Sequence, residues 1–159
     1  AATHIAKMDM DAWVDMRTFW PIAENFQDAC PYMYGGRTWH CPDDRYCPPM
    51  GCGRPVATSF WDYDRRNVNA SEDCWTYMQG GFYFMTRLLA GDISRQGGWW
   101  HNESANCYPE DAMVGKAIHK WGIEHGHVCI ASMDLVGREV VWHADFKEFW
   151  YSTKRGKPE

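Results

Sequence analysis

The sequence predicts a single α/β domain. The chain has 159 residues, of which 45% are hydrophobic, and this is enough for a real core and too apolar for a disordered chain. Strand-like runs alternate with helical segments along the chain, and we find neither an internal repeat nor a second domain boundary. These observations predict one packed unit of sheet and helices.

The first third of the chain predicts two strands and one helix. Residues 3–8 predict a buried strand that ends at an acidic pair, and residues 12–26 show helical spacing of apolar residues with an interruption at Pro21. Residues 32–36 predict a strand that enters a turn. Residues 37–58 are rich in proline, glycine and cysteine, so we expect an irregular, cross-linked loop there.

The remainder of the chain predicts strands on either side of helical segments. Residues 75–79 predict a short strand, residues 82–95 a helix, and residues 97–101 a flexible aromatic loop. Two further strands are expected at residues 127–131 and 139–143.

The clearest helix is predicted at residues 109–122. Pro109 suits its first turn and Gly122 suits its end. Glu110 and Asp111 lie at the N-terminus, where the free N–H groups and the helix dipole stabilise negative charge, so capping alone can explain them.

Cysteine content indicates an oxidising compartment. Seven cysteines are many for this length, and they predict up to three disulfides and one remaining thiol, without fixing which cysteines pair. Two N-x-S/T sequons, at Asn69 and Asn102, agree with a secretory protein. Zinc is the alternative for Cys41, Cys47 and Cys52, although their spacing contains no C-x₂-C pair.

Charge and termini restrict the partners. The net charge is −5 and no basic run is long, which argues against nucleic acid. No signal peptide or transmembrane run is visible, and the chain opens in a predicted strand without an initiating Met. We therefore expect a processed or partial chain with upstream sequence.

Asp9 and Asp11 form the most informative short motif. On an extended segment, residues two apart share a face, so the two carboxylates can point the same way. Such oxygen ligands suit Mg²⁺ or Mn²⁺, which could carry a diphosphate. The alternative is an ordinary acidic turn after a strand.

Four segments in order resemble the β-1,3-galactosyltransferase and Fringe-like glycosyltransferases. Residues 7–14 are similar to the K-x-D-D-D-x-F-V segment of that family, and residues 77–86 to its Y-x-x-G-x-G-Y-x-x-S segment. Residues 109–123 resemble its E-D-V-x-x-G…L-G-I helix, and residues 141–150 its C-terminal V-H-x-x-K…W segment. The middle acid of the first segment is Met10 in this chain.

The resemblance implies a glycosyltransferase-A-type fold, with a mixed sheet flanked by helices. It implies inverting transfer of a hexose or N-acetylhexosamine from a UDP-sugar to a hydroxyl of a glycan or glycoprotein acceptor, with Mn²⁺ or Mg²⁺ as cofactor. It also implies the Golgi lumen, or the extracellular space, and a type II membrane anchor outside this chain.

Site residues follow from the same resemblance. Asp11 would be a direct Mn²⁺ ligand, Asp9 would contact the metal shell or the ribose, and His143 would be the further ligand. Gly80 and Gly81 would let the backbone approach the donor sugar or the acceptor.

The same carry-over supplies the base, whereas the candidates for acceptor contact are two loop-like segments of this sequence. Asp111 would be the general base, with Glu110 beside it as the less favoured holder of that role. Residues 97–107 and the loop 37–58 are the segments expected to contact the acceptor.

The resemblance leaves one structural question and two functional alternatives. In the family, a nucleotide-binding half precedes the acidic motif, so we expect either upstream sequence or a second chain to complete a sheet that would otherwise expose one side. The alternatives are a non-catalytic scaffold or glycan-binding subunit, and a disulfide-rich extracellular module.

Overall fold

The structure is a computed structural model, in which eight segments of the chain are described. These segments are residues 2–25, 30–39, 60–63, 75, 77–106, 109–126, 128–135 and 139–143.

Seven strands and four helices lie within these segments. In chain order they are β1 (His4–Met8), β2 (Ala12–Val14), α1 (Met16–Asn25), β3 (Tyr32–Trp39), β4 (Phe60–Tyr63), β5 (Tyr77–Thr86), α2 (Arg87–Ile93), α3 (Trp99–Glu103), α4 (Glu110–His125), β6 (Val128–Asp134) and β7 (Val141–His143).

The main sheet has five strands in the order β1-β5-β3-β6-β4. β3 and β6 run parallel, and the other neighbours in this sheet run antiparallel. β2 and β7 form a separate antiparallel pair. The α/β class with a mixed sheet is therefore confirmed, and β1 lies at the sheet edge among the described strands. Its one described neighbour in the sheet is β5, with which it pairs antiparallel.

Helices cover both faces of this sheet. α1 packs Phe19 and Ala23 on one face, against Phe82 and Phe84 of β5. α2 and α4 pack on the other face, and their buried apolar residues include Leu89, Ile93, Val114, Ile118 and Trp121. Successive residues of β5 thus serve opposite faces, and each fully buried large side chain contributes roughly 2 kcal/mol to folding.

The prediction of a helix over residues 82–95 was wrong in its first part. β5 continues through Gly80 and Gly81 to Thr86, and α2 begins only at Arg87. The Thr86 side chain caps α2 by accepting from the backbone N–H of Leu89. Because β5 is buried on both faces, its apolar residues do not alternate with polar ones, and the run resembled a helix.

Three further predictions were wrong. β1 is not buried as expected, because it lies at the sheet edge among the described strands, where Ile5 and Met8 are exposed. β3 continues through the turn expected at residues 35–36 to Trp39, and β4 was not predicted.

The remaining elements differ from the predictions mainly at their boundaries. The expected helix at residues 12–26 begins with β2 and becomes α1 only at Met16, with Pro21 inside the helix. The expected loop at residues 97–101 includes the start of α3. α4 passes through Gly122 and ends at His125, with Gly126 at its C-cap.

One disulfide is present in the described residues, between Cys30 and Cys129, whose Cα atoms are 5.3 Å apart. It joins the start of β3 to β6. The other five cysteines, the zinc alternative and the Asn69 sequon lie outside the described residues. Asn102 is exposed on α3. None of the helices in the described segments is long and apolar enough to cross a membrane.

Candidate functional site

The acidic pair lies where β1 leaves the main sheet. Met8 is opposite Phe82 of β5, and the backbone N–H of Asp9 donates to the carbonyl of Gly81 at 3.1 Å, which extends the ladder by one residue. The backbone N–H of Ala12 then donates to the carbonyl of Asp9 at 3.1 Å. This bond closes a turn over residues 9–12, so Asp9 and Asp11 stay close together.

His143 reaches the pair through the two-stranded sheet. β7 runs antiparallel to β2, and Ala12 is the register partner of His143. The imidazole Nε2 lies 3.4 Å from Asp11 Oδ1 and 3.7 Å from Asp9 Oδ2. His143 is buried, whereas the side chains of Asp9 and Asp11 are each 39% exposed. The strand pairing therefore brings together residues 132 positions apart in sequence, an arrangement that local patterns do not reveal.

These three side chains fit one divalent cation. Their ligand atoms all lie within 4.8 Å of one another. Two carboxylate oxygens and one imidazole nitrogen suit Mn²⁺, and a three-residue donor set leaves positions open for water or phosphate oxygens. Met10 is fully exposed and takes no part in this cluster.

The two glycines of β5 allow the site side chains to pack closely. A Cβ on Gly81 would lie 2.6 Å from His143 Cδ2, so a larger residue there would displace the imidazole. A Cβ on Gly80 would lie 3.1 Å from Lys7 Nζ and 3.5 Å from Asp111 Oδ2. Their predicted approach to a donor sugar stays a prediction, but their closeness to the site is a property of the fold.

Asp111 and Glu110 begin α4 beside these glycines. Asp111 Oδ2 accepts from the backbone N–H of Gly80 at 3.0 Å, and Asp111 Oδ1 accepts from the backbone N–H of Ala112 at 2.8 Å. Glu110 Oε1 accepts from the hydroxyl of Tyr83, and Glu110 Oε2 lies 3.3 Å from Lys7 Nζ. The N-terminus of α4 therefore presents both carboxylates to the middle of β5.

The environment of Asp111 makes it a stronger base than an ordinary aspartate. Burial raises its pKa, and the charge of Glu110 adds to this effect. Bonds from Ala112 and Gly80 and the charge of Lys7 act in the opposite direction, without cancelling the shift. A carboxylate with a raised pKa takes a proton more readily, which suits a general base.

Lys7 and Tyr83 are site residues to which the sequence assigned no role. Lys7 Nζ donates to Asp9 Oδ1 at 2.6 Å and to the carbonyl of Gly80 at 2.7 Å. Burial acts to lower the pKa of Lys7, but its bonds and charge interactions with Asp9 and Glu110 outweigh this, so the ammonium is stabilised. The sequence signal for Lys7 was its position two residues before Asp9, on the same side of an extended segment.

Burial, together with the bond to Glu110, raises the pKa of the Tyr83 hydroxyl. Tyr83 therefore remains a neutral donor.

The seven predicted site residues lie around Lys7 and the Gly80–Gly81 backbone. Carboxylates dominate the group, with Lys7 as the cation that contacts two of them. The predicted acceptor segment 97–107 reaches α4 elsewhere, where Lys116 Nζ is 5.7 Å from the centre of the Trp99 ring. Most of the predicted acceptor loop 37–58 lies outside the described residues.

Comparisons with known proteins do not assign this chain. No family model matches it, and no curated protein or solved structure matches it either. The site is therefore interpreted from its own geometry and chemistry.

Proposed function

We propose that this protein is a Mn²⁺-dependent, inverting glycosyltransferase that moves a hexose or N-acetylhexosamine from a UDP-sugar to a glycan hydroxyl. One observation carries the proposal: Asp9, Asp11 and His143 place three ligand atoms within 4.8 Å of one another. His143 lies against Gly81, and the preceding residue, Gly80, donates its N–H to Asp111. A metal–diphosphate site beside a desolvated carboxylate is what such a transfer needs.

The reaction is a single displacement. The acceptor hydroxyl oxygen attacks the anomeric carbon, the bond from that carbon to the phosphate oxygen breaks, and UDP leaves with the electron pair. Asp111 takes the hydroxyl proton. Mn²⁺, when bound by Asp9, Asp11 and His143, supplies Lewis-acid stabilisation of the charge that develops on the diphosphate. No enzyme nucleophile is required.

Asp111 is favoured over Glu110 as the base because the two carboxylates are engaged differently. One oxygen of Glu110 faces the Lys7 ammonium and the other accepts from the Tyr83 hydroxyl, so side chains of the protein already engage both oxygens. Asp111 is held by two backbone N–H groups, and each oxygen retains a second lone pair for an acceptor hydroxyl.

An activity assay on the complete protein tests the proposal. We expect release or transfer of sugar from a UDP-sugar that requires Mn²⁺, is abolished by chelation and returns when Mn²⁺ is added. Asp11→Ala and Asp111→Asn should each remove the activity. Unchanged activity in both variants would refute the site assignment.

A scaffold or glycan-binding subunit is the competing function, and the exposed Met10 in the position of the family's middle acid favours it. Such a protein would show no turnover with any UDP-sugar, and its acidic cluster would have no role with UDP.

A further inference from the structure

Lys7 lies between the two halves of the candidate site. The metal half is Asp9, Asp11 and His143, and the base half is Glu110 and Asp111 at the start of α4. Its Nζ contacts three acceptors on three elements: Asp9 Oδ1 after β1 at 2.6 Å, the Gly80 carbonyl of β5 at 2.7 Å, and Glu110 Oε2 of α4 at 3.3 Å. An ammonium has three N–H donors, so these acceptors match its full capacity. Its side chain is only 33% exposed, and the contacts are thus partly shielded from water.

The first contact fixes the orientation of Asp9. With Oδ1 engaged by Lys7, the other oxygen, Oδ2, faces His143 at 3.7 Å. Lys7 therefore determines which Asp9 oxygen is offered to a metal shared with Asp11 and His143.

The second contact, to the Gly80 carbonyl, connects Lys7 to Asp111 through one residue of β5. The Gly80 carbonyl accepts from Lys7, and the Gly80 N–H donates to Asp111 Oδ2 at 3.0 Å. Lys7 Nζ and Asp111 Oδ2 both lie within 3.5 Å of the position that a Gly80 Cβ would take. Displacement of Lys7 would therefore be transmitted to Asp111.

We propose that Lys7 is a positioning residue that sets the separation between the metal ligand Asp9 and the base Asp111. It acts through its three acceptors and not through charge alone. The inference rests on the proposed function for the roles given to Asp9 and Asp111, whereas the contacts of Lys7 are independent of it.

Two substitutions separate position from charge. Lys7→Arg keeps the positive charge. However, a planar guanidinium spreads its N–H donors over three nitrogen atoms, so it cannot replace the single Nζ that contacts all three acceptors. Lys7→Met keeps much of the stem and removes the charge. Lys120→Met is the matched control, because Lys120 lies nine residues after Asp111 on α4, about 13 Å along the helix.

The readouts do not depend on turnover. The first is the Mn²⁺ dissociation constant of each protein, measured with Mn²⁺ alone by electron paramagnetic resonance. The second is the titration of Asp111, followed by carbon-13 NMR of its carboxyl group and assigned with Asp111→Asn. Besides Lys7, the titratable groups that interact with Asp111 are Glu110 of α4 and three tyrosine hydroxyls, those of Tyr34 of β3 and of Tyr77 and Tyr83 of β5.

We expect Lys7→Arg to weaken Mn²⁺ binding about tenfold, as for a residue that orients a ligand. We also expect it to move the Asp111 titration upward although the positive charge is kept, because disturbing the Gly80 contact weakens the bond from the Gly80 N–H to Asp111. We expect Lys7→Met to move the Asp111 titration further upward than Lys7→Arg does, because the nearby cation is lost as well. Lys120→Met should match wild type in both readouts. Near-ultraviolet circular dichroism establishes that each variant is folded.

A wild-type Mn²⁺ affinity or a wild-type Asp111 titration in folded Lys7→Arg would overturn the proposal. Failure of the proposed function would look different. In that case the Mn²⁺ affinity would be the same in Asp11→Asn as in the wild type, or the wild-type protein would transfer no sugar.

Discussion

The candidate metal ligands and the candidate base lie at the same part of the sheet, but the fold holds them differently. Asp9 and Asp11 are in a short turn between β1 and β2 and remain partly exposed, and only His143 among the three is buried. Asp111 is fixed by the first turn of α4 and by the backbone of β5, where burial raises its pKa. On the proposed function, an ion would complete the metal half, whereas two backbone N–H groups already hold the carboxylate of the base half.

The largest difference between the halves should appear on removal of the base. Asp111→Asn should lower transfer by about 10²- to 10⁴-fold, because no carboxylate remains to take the acceptor proton. Mn²⁺ and UDP binding should be unchanged, since Asp111 is not a ligand. Steady-state kinetics measure the transfer rate, and calorimetry measures Mn²⁺ and UDP binding. If Asp111→Asn also loses UDP binding, the base half and the metal half do not act independently.

Loss of a metal ligand should give the opposite pattern. Asp11→Asn should weaken Mn²⁺ binding by at least about 100-fold, more than is typical for residues that only orient ligands. The Asp111 titration should remain near wild type. Electron paramagnetic resonance with Mn²⁺ measures the affinity, and retained tight binding would exclude Asp11 from the ligand set.

Alanine substitutions at two glycines, Gly81 and Gly91, test the packing against His143. Gly81→Ala should lower Mn²⁺ affinity by about tenfold, because the added Cβ would lie 2.6 Å from the imidazole. Gly91→Ala in α2 is the matched control, since nothing lies within 4 Å of its Cβ position and alanine favours the helix by about 1 kcal/mol. Equal Mn²⁺ affinity in the two variants would show that His143 does not need the space at Gly81.

The smallest expected effect is on the pH dependence. Transfer should increase with pH through the raised pKa of Asp111, so the acid limb should lie above the ordinary aspartate value of about 3.9. The folded state holds this proton more tightly than the unfolded chain, so ionised Asp111 lowers stability at neutral pH, and this cost disappears below the unfolded pKa. Asp111→Asn should therefore lack this pH dependence of stability in thermal melts recorded across the acidic range. An acid limb at or below the ordinary value would contradict the burial argument.

The sequence predicted the parts of this arrangement that depend on local patterns. β1 ends at the acidic pair, as predicted, and α4 was evident from Pro109 and the acidic residues at its start. β5 was misinterpreted because burial on both faces removes the period of two that reveals a strand. The fold class required only the alternation of strands and helices.

The geometry of the site could not be predicted in the same way. The contact between His143 and Asp11 depends on the pairing of β2 with β7, and the bridging position of Lys7 depends on α4 packing against β5. Both are long-range arrangements without a local signal in one sequence. The resemblance to a glycosyltransferase family named Asp9, Asp11, Asp111 and His143, but it assigned no role to Lys7.

The central claim is that the acidic cluster and His143 bind a metal–diphosphate. Isothermal titration calorimetry of the complete protein with UDP, in the presence and absence of Mn²⁺, tests it most directly. We predict UDP binding that requires Mn²⁺ and is lost in both Asp11→Asn and His143→Ala, while Asp111→Asn binds as the wild type does. UDP binding that is equal with and without Mn²⁺, or absent under both conditions, would contradict the account.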